Sequence, residues 1–154
     1  MYFYQGRTML TGRSKSLILG ITLSTLLVSG CATPLSSGQK QEYRVYQAKG
    51  LVVEEKNEGA AAALGILPGV GSFYVREYGA GVVNLLLWPA SILWDPVSGY
   101  QGAQALNYHA TKQKVTTLKL REIAQLDEKL ILETIDNKKY ISEKRKVESK
   151  YSAY

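Results

Sequence analysis

Residues 59–104 constrain most strongly what this chain can fold into. Within 154 residues, this block holds eight of the 14 glycines, both tryptophans and only three charges, Arg76, Glu77 and Asp95. Two apolar runs lie inside it, Gly59 to Tyr74 (GAAAALGILPGVGSFY) and Gly79 to Trp94 (GAGVVNLLLWPASILW), on either side of Arg76-Glu77-Tyr78. Long apolar runs without strict alternation read as helices that are apolar on nearly all sides, and such helices must be covered by protein or lipid. The pattern predicts a helical hairpin over 59–74 and 79–94 turning at Arg76–Tyr78, with Pro68 and Pro89 kinking or ending helical stretches. Small residues at Gly59, Ala62, Ala63, Gly79 and Gly81 permit close helix contact. The amphipathic rings of Tyr74, Trp88 and Trp94 suit a membrane interface.

The flanks are more polar. Gln39 to Asn57 is rich in helix formers and predicts a short amphipathic helix around 39–48 ended by Gly50, while Leu51-Val52-Val53 fits strand or helix. Trp94 to Tyr100 reads as the close of the hairpin, with Asp95 extended before Pro96. Thr116 to Asp136 carries Leu120, Ile123, Leu126, Leu130, Ile131 and Ile135 at mainly three- and four-residue steps, an amphipathic helix. Asn137-Lys138-Lys139 marks a break, and Tyr140 to Tyr151 reads as a charged helix or frayed tail. The expected fold is mainly α: a short amphipathic helix, a central apolar glycine-rich hairpin, and an amphipathic carboxy-terminal helix or helix pair. The expected divisions are 1–30, a signal peptide; 31–40, a flexible tether; 41–112, the hairpin domain; and 113–154, a charged helical tail.

The amino terminus is an address. Arg13 and Lys15 precede a short apolar run, Leu17 to Val28, which small residues and the chain's one cysteine follow. A basic segment, an apolar segment too short to span a bilayer and a small-residue exit describe a secretory signal. Leu27-Val28-Ser29-Gly30-Cys31 resembles the lipobox of bacterial lipoproteins. The resemblance implies that the Cys31 thiol receives a diacylglyceryl group, that a peptidase recognising Leu27, Val28, Ser29 and Gly30 cuts before it, and that the new amine is acylated. Two or three acyl chains anchor stably where one binds only marginally. Ala32 rather than Asp after the cysteine implies, by the same resemblance, the outer membrane, facing the periplasm. Met9 opens a more conventional signal than Met1, and translation is expected to begin there.

The central block carries a second resemblance. Gly71, Phe73-Tyr74, Gly79, Gly81, Leu85 to Leu87 and Trp94-Asp95 look like the small two-transmembrane-helix hairpin family. The stretch LPGVGSFY…LLLWPASILWDPVSGY also resembles a group of small bacterial envelope lipoproteins. The hairpin-packing set expected from these patterns is Gly59, Gly65, Gly71, Phe73, Tyr74, Gly79, Gly81, Trp94 and Asp95.

Signs of chemistry are few. One cysteine excludes an intramolecular disulfide and a multi-cysteine zinc site, and the single histidine, His109, excludes a site needing two imidazoles. A Ser–His–Asp triad would have to draw on His109, Asp95 and Ser72 or Ser98, and nothing in their spacing supports it. Gly79-Ala80-Gly81-Val82-Val83-Asn84 begins like a dinucleotide fingerprint, but Asn84 stands where the third glycine belongs. No catalytic residue, metal or cofactor is expected beyond the covalent lipid on Cys31. Residues 1–30 carry Arg7, Arg13 and Lys15 and no acid, so 16 of 19 basic residues remain against 13 acidic ones, a formal +3. That charge is too small and dispersed for nucleic-acid binding. The expected function is a non-enzymatic envelope lipoprotein with membrane lipid, a second copy or an envelope protein as partner. The alternatives are a soluble periplasmic enzyme or ligand carrier, and an integral inner-membrane hairpin.

Overall fold

The computed structural model describes residues 33–154. The fold is mainly helical, with no strand among the described residues. Its helices are α1 (Ser37–Ala48), α2 (Glu58–Leu64), α3 (Val70–Tyr74), α4 (Tyr78–Leu86), a 3-10 turn (Ala90–Leu93), α5 (Asp95–Ile131) and α6 (Asn137–Tyr151).

α1 starts two residues earlier than the sequence pattern places it, because Ser36 and Gln39 form a capping box. The Gln39 N–H donates to Ser36 Oγ (3.3 Å) and the Ser36 N–H to Gln39 Oε1 (2.9 Å). With Leu35 also buried, the free stretch expected over 31–40 is shortened from its carboxy-terminal side. Gly50, at φ +67°, terminates the helix in the left-handed region. Leu51–Val53 is neither strand nor helix. Side chains of α5 supply the hydrogen bonds that a neighbouring strand would have given to this stretch and the residues after it. Thr111 Oγ1 accepts from the Val53 N–H (2.9 Å), and Asn107 Oδ1 accepts from those of Glu55 (2.8 Å) and Lys56 (2.9 Å).

The central block does not form two continuous apolar helices. The first run breaks at Pro68-Gly69 into α2 and α3, and the second at Trp88-Pro89 into α4 and the 3-10 turn. Proline removes a backbone donor and clashes with the preceding helical turn. Gly69, at φ +72°, admits no side chain: an added Cβ would lie 2.3 Å from the Gly81 carbonyl oxygen. The chain folds back between α3 and α4 at Arg76, itself at φ +68°, and the two helices pack together. Trp94–Tyr100 is not a closing turn. Asp95 and Pro96 occupy the first turn of α5, where proline's missing N–H costs nothing and its φ is already helical.

α5 is the spine, 37 residues and about 55 Å long. The boundary expected at residues 112/113 falls inside it. α2 and α3 pack on its first turns through glycine. An added Cβ on Gly65 would lie 2.5 Å from Pro96 Cα, one on Gly71 2.7 Å from Gly65 Cα, and one on Gly99 2.6 Å from the Ala61 oxygen. Further along, Leu35, Tyr43 and Tyr108 form one apolar cluster, and Tyr46, Val115 and Tyr151 another. The chain reverses at Glu133 (φ +54°), and Asp136 caps α6 by accepting from the Lys139 N–H (2.8 Å). α6 returns antiparallel along α5: Tyr140 bonds Asp127 (2.8 Å), while Lys150 and Tyr151 both bond Glu122 (2.7 Å). The tail is therefore a helix pair, fastened at its end by Lys49 Nζ on the carbonyls of Ser149 and Ser152.

Close packing of this kind predicts unequal glycine substitutions. Gly65→Ala must push backbone against backbone and should destabilise by about 1–3 kcal/mol. Gly79→Ala, with nothing within 4 Å of the new methyl, should be neutral or gain a few tenths of a kcal/mol from helix propensity. Urea denaturation of the two variants measures the difference.

Candidate functional site

Three features compete as the functional site: the exposed surface of the central block, a buried polar knot beneath it, and a tyrosine-glutamate cluster midway along α5. The knot joins three helices. Ser72 of α3 and Asn84 of α4 both donate to Asp95 Oδ1 at the start of α5, at 2.5 and 2.7 Å. Asn84 Nδ2 also lies 3.0 Å from Ser72 Oγ, and Asn84 Oδ1 accepts from the Trp94 indole N–H at 2.8 Å. Ser72 and Asp95 are fully buried, Asn84 nearly so, and Asp95 Oδ2 and Ser91 Oγ are buried without a hydrogen-bond partner. The carboxyl group sits in the first turn of α5, where the helix dipole favours an acid. Oδ1 thus accepts two side-chain donors, and no ion pair to it occurs among the described residues. Such an arrangement fixes geometry: the two bonds at Oδ1 tie α3, α4 and the start of α5 to one point.

Of the residues a hydrolytic triad would need, the structure brings Ser72 and Asp95 together and leaves His109 apart. His109 is exposed, edge-on to the Tyr108 ring, about 21 Å along α5 from Asp95. No group of three or more potential metal ligands occurs among the described residues.

The expected packing set separates into two. Gly65 and Gly71 touch neighbouring backbone, Gly81 lies against the Phe73 ring, and Trp94 and Asp95 belong to the knot. Gly79 faces open space and Gly59 makes only an ordinary contact with Asn57. Tyr74 turns to the Leu51–Asn57 stretch, with its hydroxyl accepting from the Asn57 N–H (3.2 Å) and Lys56 over its ring. Cys31 and the residues before it, Leu27, Val28, Ser29 and Gly30, lie outside the described residues.

Around the knot the side chains face outwards. Leu86 and Leu93 are 77% and 80% exposed, and Ile66, Leu67, Trp88 and Val97 are more than half exposed. Monomers rarely leave so many large apolar side chains uncovered in one region. Of the three charged residues of this block, Asp95 is buried, Arg76 pairs with Glu55 (3.3 Å) and Glu77 is exposed.

Sequence reasoning missed Ser72 and Asn84 as partners of Asp95. The signal for Asn84 was present: a lone amide inside VVNLLLW must find partners if buried. It also missed the cluster midway along α5. There Glu42 accepts from Tyr46 (2.9 Å), Tyr108 (2.7 Å) and Lys112 (3.4 Å). Burial works to raise the Glu42 carboxyl. The hydroxyls of Tyr108 and Tyr46 and the Lys112 charge outweigh it and hold the group below the usual range. Burial, then the bond to Glu42, pushes the Tyr46 and Tyr108 hydroxyls up. Burial and Glu58 push Tyr43 up to about 12. Beside this cluster, Tyr43, Glu54, Glu58 and Asn107 help line an open cleft of about 260 Å³.

No protein-family model matches this chain, and no curated protein and no solved structure matches it significantly.

Asn84→Ala strips Asp95 of a donor and Trp94 of its acceptor, and should destabilise by about 2–4 kcal/mol. Asp95→Asn, which keeps the Oδ1 acceptor, should cost less than Asp95→Ala in the same urea titration. Glu42 has a folded pKa depressed below its ordinary 4.5. Its stabilisation is complete above that value and is lost as pH falls through the folded pKa. The tyrosines, raised above 10.0, favour folding fully below pH 10 and progressively less above it. Glu42→Gln should flatten the acid limb of a stability–pH curve.

Proposed function

We propose that the protein is a lipid-tethered component of a bacterial envelope. It is anchored through a diacylglyceryl group on Cys31 at the outer membrane, faces the periplasm, and acts by interaction rather than by catalysis. One observation carries this reading: the chain's single thiol stands directly after a short apolar segment and two small residues, in the order Leu27-Val28-Ser29-Gly30-Cys31. Two features of the fold support it. Leu35, four residues beyond Cys31, is already seated in the core, so the tether is short. The exposed apolar side chains of the central block require a neighbour.

In this reading residues 58–94 are the apolar hairpin module, with α3 and α4 as its two arms around Arg76. The Ser72–Asn84–Asp95 knot holds them to the spine. The antiparallel α5–α6 pair, with mixed charge along it, presents the surface for an envelope partner. No helix among the described residues is long and apolar enough to cross a membrane, which favours the tether over the spanning alternative.

Mass spectrometry of the mature amino terminus tests the proposal. The expected species begins at Cys31 and carries the mass of a diacylglyceryl group and an amide-linked acyl chain, and Cys31→Ala should abolish both processing and membrane fractionation. An unmodified Cys31, or a mature terminus elsewhere, overturns the reading.

A further inference from the structure

We infer that the apolar end of the molecule, around the α4–α5 junction, seats in the interfacial layer of the same membrane that holds the Cys31 lipid, and that the α5–α6 pair points away from it. This inference rests on the lipid tether proposed above. Its ground is where the described chain begins. α1 runs parallel to α5: Glu42 bonds Tyr108, and Tyr46, one turn later, packs on Val115. The amino terminus of α1 therefore points towards the start of α5, and Leu35 is buried there with Tyr108, with Ala105 packed alongside. Ala105 is about 15 Å along the helix from Asp95 and about 39 Å from Ile131. Four residues from Leu35 to Cys31 reach at most about 14 Å. An acyl group on Cys31 can thus lie level with the apolar end and cannot reach the far tip of the helix pair.

The chemistry of that end fits hydrocarbon and headgroups. Leu86, Leu93, Trp88 and Val97 stand outward. The polar groups within the apolar segments turn inward: Asn84, Ser72 and Asp95 bond one another, and Trp94 gives its indole N–H to Asn84 rather than to water. The helices here are short and interrupted, so the end can lie in the interface but cannot span. Tethering also raises the effective concentration of bilayer at this surface above that of any second copy.

Both tryptophans of the chain, Trp88 and Trp94, lie at this end, so tryptophan emission, excited at wavelengths beyond the tyrosine band, reports on it alone. The acylated protein is reconstituted into vesicles of phosphatidylethanolamine and phosphatidylglycerol, with bromine placed at shallow or deep positions of the acyl chains. The expected result is a blue-shifted emission quenched most by shallow bromines. Leu86→Glu/Leu93→Glu, at two highly exposed positions, should lose most of that quenching while acylation and helical circular dichroism persist. Ile131→Glu, at the opposite tip, should keep it. If the acylated protein floats with vesicles but its tryptophans escape quenching, docking is overturned and the tether stands. If the tryptophans are shielded equally without lipid in a defined dimer, a second copy is the occupant and the inference fails. An unmodified Cys31 removes the tether and the inference with it.

Discussion

Asp95 is the residue on which the upper half of this fold depends. An acid removed from water is costly unless it is hydrogen-bonded, and here the donors to Oδ1 come from α3 and α4, while the acid itself opens α5. The three helices are therefore fixed to one point. The helices α3 and α4 are five and nine residues long, too short to be stable alone. They persist because the buried polar bonds and the glycine contacts at Gly65, Gly71 and Gly99 hold them against the spine. The apolar effect does comparatively little here, since the core of this end is built on Ala61, Val75 and Ala103.

Lower down α5 the same logic is repeated with different chemistry. Asn107 and Thr111, one turn apart on a single face, serve the backbone of the Leu51–Asn57 stretch. Tyr108 and Lys112, on the next face, serve Glu42. Each pair substitutes a side chain for a missing backbone partner or countercharge. The result is a long helix to which the other segments are tied by polar bonds at successive levels, with small apolar clusters between them.

What could be read from the sequence divides along the line between local and non-local causes. α1 is visible because its stop signal, Gly50, and its apolar positions act within a few residues. The α5–α6 reversal is visible for the same reason, although the chain turns before Asn137 rather than at it. The breaks at Pro68 and Pro89 are equally local, and they divide the expected apolar segments. The first turns of α5 are not visible: Gly99 and Gly102 lower helix propensity, and only contact with α2 shows why Gly99 is there. A side chain at Gly99 would strike the Ala61 carbonyl, so the residue that argues against a helix in isolation is the one the packed helix requires. Asp95 was legible as a packing residue, but its pairing with Asn84 and Ser72 depends on three segments meeting. Cys31 stands apart, since its proposed lipidation is read first from the order of residues Leu27 to Cys31.

The two ends of the molecule differ in where their polar side chains lie. Along the α5–α6 pair, tyrosines reach across to acids, and Leu120, Ile131, Leu132 and Ile141 are exposed among charged residues of the sequence. At the other end serine, asparagine and aspartate lie inside while leucine, isoleucine and tryptophan lie outside, the reverse of an ordinary water-facing surface. Burying one such side chain gains roughly 1.5–3 kcal/mol, and a domain's whole stability is about 5–15 kcal/mol. An inverted surface of six or more such residues is thus comparable in free energy with folding itself. The knot at Asp95 makes the inversion possible, because Ser72, Asn84, the Trp94 indole and Asp95 Oδ1 bond one another inside the fold rather than meeting water. A surface so prepared is suited to hydrocarbon, and the proposed lipid on Cys31 would bring hydrocarbon to the end of the molecule that carries it.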